Sequence, residues 1–164
     1  MLLGSDEITM TTARDNGTRI LAAILWVLFV VIVSARIGML TGIRANLCLS
    51  ALVALGFFLD VYGMLLVSAC AVLLVNWSPA PTPEMGFYFI LPIVIVTIHR
   101  TFPLKRWLNA ACAAFLVTVI MDIFVSYNVV TAYPLLVIGD ALAGALVAGI
   151  IFRCMEWAYQ GVRA

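Results

Sequence analysis

Three aspartates have the strongest claim to chemistry in this sequence, because each lies within or beside a long apolar run. They are Asp60, Asp122 and Asp140. A carboxylate at the depth of a bilayer costs roughly 3 kcal/mol on insertion scales, so each should face protein or water rather than lipid. Neighbouring carboxylates can share a proton or bind a cation, and this is the chemistry that these residues could support.

Asp122 and Asp140 are the two aspartates whose spacing predicts a pair. Asp122 lies five residues before Tyr127, and Asp140 lies six residues after Pro134. In two antiparallel helices joined by the intervening turn, both carboxylates would lie roughly 8 Å below the same membrane boundary. The alternative is that both are hydrated and that the helix dipole stabilises Asp140 near a helix start. Asp60 is typical of a turn or helix cap, with a proton relay as its alternative.

Catalytic constellations are absent from the sequence. His99 is the single histidine and borders Arg100, and no Ser/His/Asp set, glycine-rich phosphate loop or HExxH motif occurs. We therefore expect a protein that is not an enzyme and that binds no cofactor or metal. The four cysteines lie in or beside apolar segments without a CxxC motif, which predicts reduced, buried thiols. They are Cys48, Cys70, Cys112 and Cys154.

The composition predicts one compact membrane domain. Hydrophobic residues make up 65% of the 164 residues and charged residues 10%, and the mean hydropathy is +1.18. Soluble domains carry about 25% charged residues, so a soluble fold is excluded. A net charge of +1 without a basic stripe also argues against nucleic acid. We expect a transmembrane helical domain over 20–157, between a polar tail at 1–19 and a short tail at 158–164.

The expected fold is all-α, a polytopic membrane bundle of six transmembrane helices, or of five. The count depends on the run Leu47–Trp77, which carries one charge, Asp60. As one helix it would measure roughly 45 Å against a hydrocarbon core of about 30 Å. It is therefore one steeply tilted helix or two helices that turn at Asp60. The predicted segments are 20–33, 47–58, 61–77, 85–99, 107–127 and 135–152.

Basic residues indicate the orientation. The 100–106 loop and the residues after 152 hold five of the nine Lys and Arg residues, whereas the 78–84 and 128–134 loops hold none. The first two regions should therefore be cytoplasmic and the second two outside. Five and six spans satisfy this rule equally, and the length of the long run favours six, with both termini inside. The expected location is the cytoplasmic membrane.

Aromatic and small residues predict how the bundle is anchored and packed. Trp77, Trp107 and Trp157 fall at segment ends, as expected of interface anchors. The last span places small residues on one face, which could pack inside the bundle or against another protein. This candidate helix-packing face consists of Ala141, Gly144, Ala145, Ala148 and Gly149.

The order of these parts resembles the bacterial rod shape-determining membrane protein family MreD. The resemblance covers about 20–157. It rests on the polar link Gly42-Ile43-Arg44-Ala45-Asn46-Leu47, the motif Gly56-Phe57-Phe58-Leu59-Asp60, the basic turn with Pro103 before Trp107-Leu108-Asn109, and the final small-residue helix. It implies a six-span, non-catalytic scaffold that helps to organise cell shape and lateral cell-wall synthesis. The implied partners are a bitopic MreC-like protein and cell-wall synthases associated with actin-like MreB.

The alternative is a substrate-binding subunit of an uptake transporter, because MreD is similar in architecture to the S-components of energy-coupling factor transporters. That function predicts a pocket open to the outside and an alanine-rich coupling stretch at 110–114. The pocket lining would be Asp122, Ser126, Asn128, Tyr133 and Asp140. Against it, the outside loops are short and carry few hydrogen-bond donors.

Overall fold

The computed structural model describes residues 5–41, 46–75, 83–98, 105–125 and 127–160. These residues form helices joined by short turns, and none of them lies in a strand. The all-α class is therefore confirmed for the described part of the chain. Its helices are α1 (Ser5–Thr41), α2 (Leu47–Leu55), α3 (Val61–Val75), α4 (Pro83–Ile98), α5 (Arg106–Val125), α6 (Tyr127–Ala132) and α7 (Pro134–Gln160).

Three helices are long and apolar enough to cross a membrane. They contain the segments Asn16–Met39, Arg106–Val125 and Pro134–Ala158. Two further apolar helical segments, Val61–Val75 and Met85–Ile95, are shorter. These lengths support a membrane-embedded protein, whereas six crossings stay a prediction.

The long apolar run is divided into two helices. A turn over 56–59 ends α2, and Asp60 precedes α3. Asp60 Oδ1 accepts the backbone N–H of Gly63 at 2.9 Å, and its carbonyl accepts that of Met64 at 2.9 Å. These two bonds satisfy donors that are otherwise left open at a helix start. Of the two predicted arrangements, the run therefore adopts the one with a break at Asp60.

The short helix α2 lies in the centre of the bundle. All nine of its residues are buried, and it packs against α1, α4, α5 and α7. A helix that is apolar on every side must be surrounded by an apolar environment, and the neighbouring helices of the bundle provide that environment for α2. At about 1.5 Å per residue α2 is only about 14 Å long, well short of a hydrocarbon core. Its hydrophobicity therefore reflects burial in the bundle.

Contacts between the helix ends define two ends of the bundle. At the Asn46 end, Asn46 bonds to Tyr88 of α4 and to Asp140 of α7. At the Phe58 end, the rings of Phe58 and Phe152 are 4.8 Å apart. The helices α2, α4 and α7 thus begin at the Asn46 end, whereas α5 ends there and α3 begins at the Phe58 end. Successive long helices therefore alternate in direction.

Several element bounds differ from the predicted segments. Helix α1 begins at Ser5 instead of Ile20; 5–41 contains no proline to force a break, although Asn16 and Gly17 are weak helix formers. The predicted turn over 128–134 largely forms the short helix α6, and α7 continues to Gln160. Most of the predicted 78–84 and 100–106 loops lies outside the described residues.

Candidate functional site

A cluster of polar side chains joins four helices at the Asn46 end. The Asn46 backbone N–H donates to Asp140 Oδ1 at 3.3 Å and to Oδ2 at 3.4 Å. Its side-chain Nδ2 lies 3.3 Å from the Sδ atom of Met121, and its Oδ1 accepts the Tyr88 hydroxyl. Asn46, the residue directly before α2, therefore contacts α4, α5 and α7. We call these residues, with Asp122, the Asn46 cluster.

The position of Asp140 has an electrostatic reason. Its carboxylate lies at the start of α2, where open backbone N–H groups and the positive end of the helix dipole attract an anion. The side chain of Asn46 makes no capping bond to α2, so Asp140 supplies an acceptor to this helix end from another helix. The carboxylate therefore has a structural function within the bundle.

The structure brings Asp122 and Asp140 together. Asp122 is half-buried on α5 and lies within electrostatic range of Asp140. Two neighbouring carboxylates could share a proton, but both oxygens of Asp140 already face the Asn46 N–H. Among the described residues, no group of three or more His, Cys, Asp or Glu side chains could hold a metal ion.

A second polar contact lies one helical turn deeper. Ser50 of α2 and Thr118 of α5 are buried, and their hydroxyl oxygens are 3.4 Å apart. Thr118 also donates to the carbonyl of Ala114 at 2.9 Å, within its own helix. A Cβ atom at Gly144 of α7 would collide with Ser50 Oγ and would lie 3.4 Å from Thr118 Oγ1. The three helices therefore approach closely here because α7 carries a glycine.

The candidate helix-packing face of α7 is divided between the interior and the surface. Ala141, Gly144 and Ala148 are buried, whereas Ala145 and Gly149 are half-buried. The buried part belongs to a helix that packs against α2 and α5. The bundle itself thus uses most of the small-residue face, which leaves less of it for another protein.

Asp60 lies far from the other two aspartates. It directly precedes α3, at the end of α2 opposite to Asn46. It is exposed and caps α3 through Gly63. A Cβ atom at Gly63 would lie 2.7 Å from Asp60 Oδ1 and 3.3 Å from Ile20 Cγ1. Glycine at this position therefore permits both the cap and the close approach of α1.

Aromatic and basic side chains gather at the Phe58 end. The Arg153 guanidinium lies 5.4 Å from the centroid of the Trp107 ring, and its Nη1 atom is 3.3 Å from Glu156 Oε2. Sequence analysis identified Trp107 and Trp157 as interface anchors; Trp157 is exposed and Trp107 is half-buried. The pairing of Arg153 with Trp107 was not predicted, because it joins residues of two helices that are distant in sequence.

The remaining predicted residues do not form a described pocket. Asn128 and Tyr133 are exposed near the Asn46 end, and Ser126 and His99 lie outside the described residues. Among the thiols, Cys48 is buried and Cys70 half-buried, whereas Cys112 and Cys154 are exposed. The prediction of four buried thiols is therefore wrong for the last two, because apolar segments of a membrane protein also face outward.

Sequence analysis missed Tyr88 and Met121 as members of the Asn46 cluster. Tyr88 lies within an apolar helix rather than at its end, and a phenol there needs a hydrogen-bond partner. The position of Tyr88 within an apolar helix was the sequence signal that could have identified it.

Neither a family model, nor a curated protein, nor a solved structure matches this chain.

Proposed function

We propose that this chain is a non-catalytic scaffold of the cytoplasmic membrane, of the kind that the MreD resemblance implies. In this proposal the chain crosses the membrane six times, and the short α2 makes its crossing enclosed by the other helices. Its Asn46 end lies outside and its Phe58 end lies in the cytoplasm. It binds an MreC-like bitopic protein and thereby helps to organise cell-wall synthases.

The observation that carries the proposal is that the polar groups inside the bundle contact other groups of the same chain. Asp60 caps α3, Asp140 binds the start of α2, and Ser50 lies beside Thr118. These groups bond to the protein itself, as they would in a rigid structural subunit. The apolar exterior is then the surface left for partners.

Helix α1 offers the most extensive surface of this kind. Among the three long helices its apolar segment is the least buried. Large apolar side chains recur along it at alternating spacings of four and three residues, which is the spacing by which two helices interlock. These exposed side chains are Leu21, Leu25, Leu28 and Ile32. We call them the α1 stripe and assign to it the single membrane helix of the bitopic partner.

Site-specific photo-crosslinking in the native membrane tests this assignment. A photoreactive residue replaces Leu25 or Ile32 in the α1 stripe, and Leu73 of α3 or Leu146 of α7 serves as the matched control. All four side chains are exposed. We expect the stripe positions, and not the controls, to crosslink to one bitopic protein. A gentle-detergent pull-down of the chain should also recover cell-wall synthases. Equal crosslinking at all four positions, or none at the stripe, would reject the assignment.

A transporter subunit is the second candidate, and the proximity of Asp122 and Asp140 favours it. Exposed Asn128 and Tyr133 lie near the same end, which the orientation rule places outside. In that function the pull-down should recover paired ATPases with a coupling membrane subunit. Asp122→Asn together with Asp140→Asn should then abolish uptake at an unchanged protein level, whereas a scaffold should tolerate both changes.

A further inference from the structure

An apolar groove runs along the outer side of the bundle between α5 and α7. Its volume is about 390 Å³, near the lower end of the range of about 300–1,000 Å³ for ligand pockets. The lining residues are Ala111, Cys112, Phe115, Leu116, Leu142 and Ala145.

Cationic side chains stand at one end of this groove. Lys105 directly precedes α5 and Arg106 is its first residue; both are exposed, and Arg153 of α7 is exposed as well. Lys105 precedes Cys112 by seven residues, about two helical turns, so both lie on the same face of α5. Arg153 follows Leu142 by eleven residues, about three turns, so these two share a face of α7. Lys105 and Arg153 thus lie in line with the groove, toward the Phe58 end, whereas Arg106 begins on a different face of α5.

The spacing along the helix axis fits one leaflet of a bilayer. From Arg106 to Cys112 the rise is about 9 Å, and to Leu116 it is about 15 Å. Half of the hydrocarbon core measures about 15 Å. The groove therefore covers the depth of an acyl chain when the cations lie at the headgroup level. Trp107, beside Arg153, is the kind of residue that marks this level.

The charge balance at the headgroup level favours an anion. Glu156 neutralises part of Arg153, with 3.3 Å between Oε2 and Nη1. Lys105 leaves a positive excess beside it. The Trp107 ring lies 5.4 Å from the Arg153 guanidinium, and this cation–π contact favours an orientation of the guanidinium beside the groove.

We propose that the α5–α7 groove binds an anionic phospholipid. One acyl chain fills the groove, and the phosphate lies against Lys105 and Arg153. The site needs a membrane-embedded bundle and is independent of the partner that α1 binds, so it stands or falls separately from the scaffold function.

Native mass spectrometry of the purified full chain in neutral detergent tests the charged part of the site. The probes are dioleoylphosphatidylglycerol and its uncharged counterpart, dioleoylphosphatidylcholine, at equal concentration. We expect the anionic lipid to bind more tightly. Arg153→Gln and Lys105→Gln should each reduce this preference about five-fold. Arg36→Gln is the matched control, because Arg36 is exposed on α1 toward the opposite end. An equal effect of the control would overturn the proposal.

A second pair of variants tests the groove itself. Ala145→Phe should fill it and reduce retention of both lipids, whereas Leu146→Phe adds an aromatic ring at an exposed neighbour outside it. Cys112→Trp serves the same purpose from α5 if Ala145→Phe fails to fold. Unchanged lipid retention in a folded groove variant contradicts the proposal. So does displacement of the lipid by millimolar inorganic phosphate, which would identify a site for free anions.

Discussion

Gly144→Ala is the substitution for which the structure makes the sharpest prediction. The added methyl group would collide with Ser50 Oγ and would lie 3.4 Å from Thr118 Oγ1. Both neighbours are buried, so Ser50 Oγ can avoid the methyl group only by rotating away from Thr118 within a packed interior. Overpacking of this kind costs about 1–3 kcal/mol. We expect the free energy of unfolding to fall by that amount when it is measured by SDS titration in mixed micelles.

Gly149→Ala on the same helix is the control. No atom lies within 4 Å of a Cβ built at Gly149, so the change should be neutral or should stabilise the helix by up to about 1 kcal/mol. The difference between the two variants removes the effect of helix propensity. It isolates the contact at Gly144.

Ser50→Ala should rescue Gly144→Ala. Removing the hydroxyl deletes the clashing atom and leaves contacts of 3.4 Å to the Ser50 Cβ and to Thr118 Oγ1. Alone, Ser50→Ala loses a polar contact worth about 0.6 kcal/mol. In the Ser50→Ala background, the loss of unfolding free energy caused by Gly144→Ala should be at most half of its value with Ser50 present. If Gly144→Ala and Gly149→Ala have equal effects, or if the cost is the same with alanine at position 50, the close packing of α2, α5 and α7 is refuted.

Three further substitutions test other contacts by the same titration. Asp60→Ala should cost about 1 kcal/mol through loss of the α3 cap, whereas Asp60→Asn should retain it, and equal losses would contradict a capping function. Asp140→Ala should cost about 1–3 kcal/mol, because the Asn46 N–H loses its acceptor, and Asp140→Asn should preserve most of that stability. Leu52→Ala in buried α2 should cost about 2–5 kcal/mol, compared with less than about 0.5 kcal/mol for exposed Leu73→Ala. Similar values for the two leucines would show that α2 is not at the centre.

The sequence predicted the helical class and the break at Asp60 but could not distinguish a helix in lipid from a helix in protein. Both environments select the same apolar residues, so the buried α2 and the more exposed α3 are equally apolar. Only the length differs, and the turn that ends α2 after nine residues has no proline and begins with Gly56. The six predicted spans therefore include helices that are too short to cross a membrane on their own.

The Asn46 cluster shows where prediction from local pattern ends. Helical rise alone brought Asp122 and Asp140 to one depth, and the structure places them together. The partners of Asp140 could not be found in this way, because Asn46 is separated from it by 94 residues and lies on a different helix. Tertiary contacts decide which polar groups meet, and periodicity decides only which faces they occupy.

Cysteine accessibility in intact cells tests the claim on which the proposed function depends, namely six crossings with the Asn46 end outside. Single cysteines replace Val61 and Lys105, near the Phe58 end, and Arg44 and Pro81, which lie in sequence between α1 and α2 and between α3 and α4, in a chain whose four natural cysteines are alanine. We predict that an impermeant maleimide labels positions 44 and 81 from outside and labels 61 and 105 only after the cells are opened. Labelling of position 44 only from the cytoplasm would contradict the six-span bundle and the scaffold orientation that rests on it.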